Sequence, residues 1–143
     1  PARPAAPAES VPGCVVKPDA HGVAARGRLQ VRDLKLEGEA RPGAMLVVRA
    51  ELIEIGGRAD MSYPGVTYSV TPAAVQAPQP SIFYGISACG VMSVRAAVRL
   101  PADLAPGTKV RLTAKAGKPL ACKQAGDCTV QHQVSVERIV GRP

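Results

Sequence analysis

The sequence has no tryptophan and no asparagine, one phenylalanine, three tyrosines and two histidines in 143 residues. Each shortage removes a class of function. Carbohydrate and single-stranded nucleic-acid sites are commonly built on exposed aromatic platforms, and only Phe83, Tyr63, Tyr68 and Tyr84 are available to make one. Phe83 and Tyr84 are neighbours in an extended run, so they face opposite ways and one of them belongs to the core. Tyr63 with Tyr84 would form at most a small rim patch. No apolar run approaches the roughly eighteen residues that a membrane-spanning helix needs. No Asp-x-Asp or Asp-x-Asn loop of the calcium type occurs.

Metal and nucleophilic chemistry are equally short of parts. Copper could draw on Met45, Met61, Met92, His21, His132 and Cys89 as soft ligands. A blue-copper loop needs a histidine between its cysteine and methionine, and Cys89-Gly90-Val91-Met92 has none. Gly85-Ile86-Ser87-Ala88-Cys89-Gly90 lacks the spacing of a G-x-S-x-G nucleophile elbow. His132 lies on the apolar row of the last strand, where a satisfied, half-buried histidine is expected. His21 follows Pro18-Asp19-Ala20 and precedes Gly22, which places it in a turn. A Cys89–His132 dyad is the one nucleophilic pair to weigh. No catalytic residue, metal or cofactor is expected.

The residues that are present point to a small secreted domain. Hydrophobic residues make up 46% and charged residues 20%, a globular balance. The Ala-Arg-Gly-Pro bias, with arginine twice as frequent as lysine, is that of a high-GC bacterial genome. Residues 1–13 read as a Pro/Ala-rich linker and 14–143 as a single domain. Four cysteines suit an oxidising compartment. Cys122 and Cys128 flank the polar stretch KQAGD, a C-x₅-C spacing foreign to zinc sites. Of three connectivities, Cys122–Cys128 with Cys14–Cys89 is preferred, because the tight polar loop closes easily and leaves the other two to pair. The long bridge would then stabilise by about 4 to 5 kcal/mol in the chain-entropy model. Val11-Pro12-Gly13-Cys14 loosely resembles the site at which bacterial lipoproteins are cleaved and acylated, but no apolar stretch precedes it.

Strand signals recur between Pro- and Gly-rich turns. In Val91–Leu100 the residues Met92, Val94, Ala96, Val98 and Leu100 share one face, with Ser93, Arg95, Ala97 and Arg99 on the other. Thr108–Lys115 repeats the pattern with Val110, Leu112 and Ala114 inward. Cys128–Val140 reads as one strand carrying Val130, His132, Val134 and Val136 on one face. Val66, Tyr68 and Val70 make a shorter strand, and Ile82–Ile86 another. Residues 45–55 fit a strand or a helix, and the all-β context favours the strand. In Arg28–Leu36 the alternation slips, which a bulge near Arg32-Asp33 would produce.

Seven or eight strands in this length predict an all-β, antiparallel two-sheet sandwich, stabilised by disulfides. The stretches RPGAMLVVRAEL, YPGVTYSV and SVRAAVRLPADLAPGTKVRLTAKAG resemble immunoglobulin-like modules of secreted bacterial proteins over residues 41–140. That resemblance implies a fold rather than a function.

The net charge of +7 is uneven. Residues 71–143 carry nine Lys/Arg against three Asp/Glu, and residues 31–70 carry five against six. Arg95, Arg99, Lys109, Arg111 and Lys115 would form one outward basic stripe if their two strands share a sheet. The function expected is a non-catalytic interaction or structural module of a secreted, periplasmic or cell-surface bacterial protein, partnered by another protein or surface component. The alternative is polyanion binding, to anionic polysaccharide or lipopolysaccharide rather than nucleic acid, through that stripe. A secreted enzyme is the third reading.

Overall fold

Val, Ile, Leu and Thr alternating with charged residues build strands here because one face can be buried while the other stays wet. The computed structural model describes residues 10–16, 27–57, 61–62, 64–117, 128–129 and 132–142. Its strands are β1 (Gly27–Glu37), β2 (Met45–Glu54), β3 (Met61–Ser62), β4 (Gly65–Thr71), β5 (Ser81–Ile82), β6 (Gly85–Ile86), β7 (Val91–Arg99), β8 (Lys109–Gly117), β9 (Cys128–Thr129) and β10 (Gln133–Ile139). Two four-stranded sheets face each other, ordered β7-β2-β1-β9 and β10-β8-β4-β5, and β3 pairs with β6 apart from them. The pairings are antiparallel except for the short parallel contact of β1 with β9. This is the expected disulfide-stabilised sandwich. No helix of the described residues is long and apolar enough to cross a membrane.

Residues 45–54 are strand throughout, with Leu46, Val48, Ala50 and Leu52 buried in alternation. The strand wins over the helix because β2 is the centre of its sheet, paired with β1 on one side and β7 on the other. The slip in β1 is a bulge. Arg32 pairs with Glu51 but Lys35 with Arg49, so one extra residue is accommodated, and Asp33 takes a φ of 56°. Asp tolerates that left-handed conformation better than most side chains. The bulge lets Leu29 and Val31 before it and Leu36 after it all point inward.

Two expected strands are each divided between sheets. Ile82–Ile86 is not continuous: β5 pairs with β4, whereas β6 pairs with β3. Between them Phe83 donates its N–H to the Pro64 carbonyl and packs against the core, while Tyr84 faces out. Cys128–Val140 is also split. β9 lies beside β1 in the first sheet, and β10 beside β8 in the second. Val130 lies outside the described residues.

The core is aliphatic, as one phenylalanine and no tryptophan require. Leu36, Leu46, Val48, Val98, Leu100, Leu104, Val110, Leu112 and Val140 fill one end. Leu29, Val31, Ala50, Leu52, Val66, Ile86, Val94, Ala114 and Ala116 fill the other. Leu34 and Tyr68 pack against both. Each buried Leu or Val side chain stabilises the fold by roughly 1.5–3 kcal/mol. The loop PADLAPGT closes the first end. Its Leu104 plugs the core, and Pro106-Gly107, with Gly107 at φ 88°, forms the turn in which Thr108 N–H reaches the Ala105 carbonyl.

Candidate functional site

The residues that could carry chemistry gather at one end of the first sheet. Glu54, the last residue of β2, falls on the buried row with Leu46, Val48, Ala50 and Leu52 and is 0% exposed. Its carboxylate accepts four backbone N–H groups. Oε2 takes those of Arg28 at 3.0 Å and Gly56 at 2.7 Å. Oε1 takes those of Gly57 at 2.8 Å and Cys89 at 2.9 Å. A buried charge is tolerable only with such a complement of donors. The chain's turn at Gly56-Gly57 is what brings two of them round. The sequence reasoning missed Glu54. Its signal was a carboxylate on an apolar row directly before a Gly-Gly pair.

Beside it, Cys14 and Cys89 form a disulfide with Cα atoms 5.7 Å apart. Val11-Pro12-Gly13-Cys14 is a turn in which Cys14 N–H reaches the Val11 carbonyl and Gly13 has a φ of 80°. Val11 N–H bonds the Cys89 carbonyl, and Ser10 bridges Gly90. The segment is thus held on the sandwich from Ser10 onward. With its sulfur in the disulfide, Cys14 does not offer the thiol that acylation requires. Cys122 and its pairing with Cys128 lie outside the described residues.

The two sulfurs and a Glu54 oxygen lie within 4.8 Å of one another. As a donor set for a metal it is spent, because the sulfurs are bonded to each other and both carboxylate oxygens are engaged by amides. The other candidate ligands are dispersed. Met45 is on the outer face of the first sheet, and Met92 packs against the core. His21 and the Met61 side chain lie outside the described residues.

His132 is half-buried and structural. Its Nδ1 accepts the Val31 N–H at 3.1 Å, joining the open edge of β1 to the chain just before β10. Arg138, on the same inward row of β10, donates Nη1 to the Leu36 carbonyl and Nη2 to the Gly38 carbonyl at 2.7 Å. Together they cap the backbone edge of β1 that, among the described residues, no strand covers beyond the β9 contact at Gly27 and Arg28. Cys89 carries no thiolate and His132 uses its acceptor nitrogen on Val31, so they do not form a dyad. Tyr68, half-buried against both ends of the core, hydrogen-bonds Ser81 Oγ at 2.6 Å. Burial pushes its phenol above the ordinary 10.0, and the bond to Ser81 pulls partly back.

The five-charge stripe is not one site. Arg95 and Arg99 lie on β7 in the first sheet, and Lys109, Arg111 and Lys115 on β8 in the second. The outward rows of two packed sheets face opposite sides of the molecule. Arg111 is further engaged by Glu137 at 3.8 Å. Register instead places Lys35, Arg49 and Arg95 side by side across β1, β2 and β7.

No family model and no curated protein matches this sequence. Solved structures do. The solution NMR structure of the CARDB domain of PF1109 from Pyrococcus furiosus superposes with a TM-score of 0.59 at 8% identity, over 82% of this chain and 98% of that one. The crystal structure of the same domain with di-metal ions gives 0.56 at 8% identity, over 82% and 90%. The fold is similar to that of CARDB domains. AvmM, which catalyses a macrocyclization in alchivemycin A biosynthesis, gives only 0.41 at 13% identity, over 84% and 91%, too low for argument. At 8% identity the CARDB likeness concerns the β-sandwich alone.

Proposed function

We propose that this chain is a non-catalytic interaction or structural module of a secreted, periplasmic or cell-surface bacterial protein. The observation that carries the reading is the Glu54–Cys89–Cys14 centre. The groups best suited to chemistry are committed there to holding backbone: the disulfide staples the segment after Ser10, and the carboxylate gathers four amides. His132 is committed in the same way to Val31. The disulfide supports an oxidising compartment, and the likeness to CARDB domains supports a module fold. The di-metal ions of the crystallised CARDB domain belong to that protein. Among the described residues, the trio Cys14, Glu54 and Cys89 is too fully engaged to hold their like.

The test is a turnover screen of the oxidised protein against ester, amide, glycoside and phosphoester substrates, beside His132→Gln and Glu54→Gln. The expected result is no turnover above buffer. Turnover that His132→Gln abolishes at an unchanged melting temperature overturns the reading.

A further inference from the structure

We infer that the outer face of the β7-β2-β1 sheet docks an anionic polysaccharide, with Lys35, Arg49 and Arg95 as its cationic row. The inference rests on the reading of the chain as an interaction module and names the partner's chemistry.

The register places Lys35 opposite Arg49, and Arg49 opposite Arg95. All three are exposed. With strands about 4.8 Å apart, the row spans about 10 Å across the sheet. Like charges directly opposite each other on neighbouring strands destabilise a sheet. Here the unfavourable contact occurs twice in one row. Glu37 answers Arg49 with an ion pair, but Lys35 and Arg95 have no ion pair among the described residues. Arg99 adds a fourth cation on the same face, two outward positions further along β7, where its guanidinium reaches the Gly43 carbonyl at 3.4 Å. An anionic chain laid across the strands supplies the missing counter-charges and relieves both repulsions.

The rest of the face decides the class of polyanion. Ser93, Ala97, Val47, Glu51 and Met45 surround the row on β7 and β2. None is aromatic, so neither bases nor sugar rings have anything to stack on, and recognition falls to charge alone. Met45, at the end of β2, is the one large exposed apolar side chain there, too little for insertion into a lipid surface. A polar, cationic sheet face, bordered at Met45, Ala97 and Arg99 by residues of the 74–79 segment, suits a hydrated sugar chain bearing sulfates or carboxylates.

The experiment titrates a size-defined heparin oligosaccharide into the oxidised protein. With three cationic contacts, which release about two to three counterions, affinity falls roughly 20- to 40-fold between about 50 and 200 mM salt. Lys35→Glu/Arg95→Glu should weaken binding at low salt by at least about tenfold, as expected when two of three contacts reverse sign. Its melting temperature should not fall, because Glu at position 95 faces Arg49. Lys109→Glu/Lys115→Glu makes the same charge change on the opposite face, beyond the screening length, and should alter affinity by less than about threefold. Equal losses from the two variants would reduce the effect to net charge and overturn the inference. So would absence of binding at low salt, or tighter binding to single-stranded DNA or to anionic vesicles. None of these outcomes touches the non-catalytic reading, which turnover tests separately.

Discussion

Glu54 Oε1 accepts the backbone N–H of Cys89 at 2.9 Å, so a buried carboxylate grips the residue that carries the disulfide. Cys89 has a φ of 57°, a left-handed conformation that costs a non-glycine residue about 1–2 kcal/mol. The next residue must be glycine, since a Cβ at Gly90 would come within 2.9 Å of the Ser87 carbonyl oxygen. Carboxylate, disulfide and glycine together fix one turn. That turn ties the N-terminal segment to the end of β2, where Glu54 N–H bonds the Gly90 carbonyl.

Glu54→Gln should be severe although it is nearly isosteric. Whichever way the amide is turned, its NH₂ meets two backbone donors that lose their acceptor. Two lost bonds to a charged group cost about 3–5 kcal/mol. Urea unfolding of the oxidised protein measures it, and a loss under about 1 kcal/mol would mean that the carboxylate is not the hub.

Removing the bridge by Cys14→Ser/Cys89→Ser should cost about 4–5 kcal/mol, given a sequence separation of 75. Comparing the double variant with wild type by denaturant unfolding, each with and without reductant, checks this. The variant should lose any stability change on reduction that arises from this bridge.

The core rows were legible because period 2 is a local property. Leu46, Val48, Ala50 and Leu52 alternate in the sequence and stay buried in the fold, and the slip at Arg32-Asp33 marked a true bulge. What the sequence could not reveal was which strands share a sheet. Arg95 and Lys109 are fourteen positions apart in the chain and belong to different sheets, because the connection through Leu104 crosses the sandwich. The same blindness hid the change of sheet between β9 and β10. Glu54 and Arg138 were overlooked for a related reason. Each is a charged residue on an inward row, and two of the four partners of Glu54 and both of Arg138 are backbone groups contributed by distant segments.

Val98→Asp should abolish cooperative folding, since Val98 is 1% exposed among Leu46, Leu100 and Leu112 and a lone buried carboxylate costs several kcal/mol, roughly the whole stability of a small domain. Arg99→Asp, one residue on and facing water, should change stability by less than about 1 kcal/mol. Thermal unfolding followed by circular dichroism separates them. Equal effects would contradict the alternation of β7.

His132→Leu leaves the Val31 N–H without its acceptor, and Arg138→Met leaves the Leu36 and Gly38 carbonyls without their donors. Each should destabilise by about 1–3 kcal/mol. Amide exchange should quicken at Val31 in the first variant only, because Arg138 bonds carbonyls. Unchanged exchange at Val31 would show that His132 does not cap that edge.

The central claim is that, among the described residues, Cys14, Glu54, Cys89 and His132 are consumed in holding the sandwich, and Cys89 tests it most directly. Native protein from an oxidising compartment is alkylated, digested without reduction and mapped by mass. The account predicts a linked Cys14–Cys89 peptide pair and no alkylated Cys89. An alkylated, reactive Cys89 in the folded protein would contradict it and restore a nucleophile to the molecule.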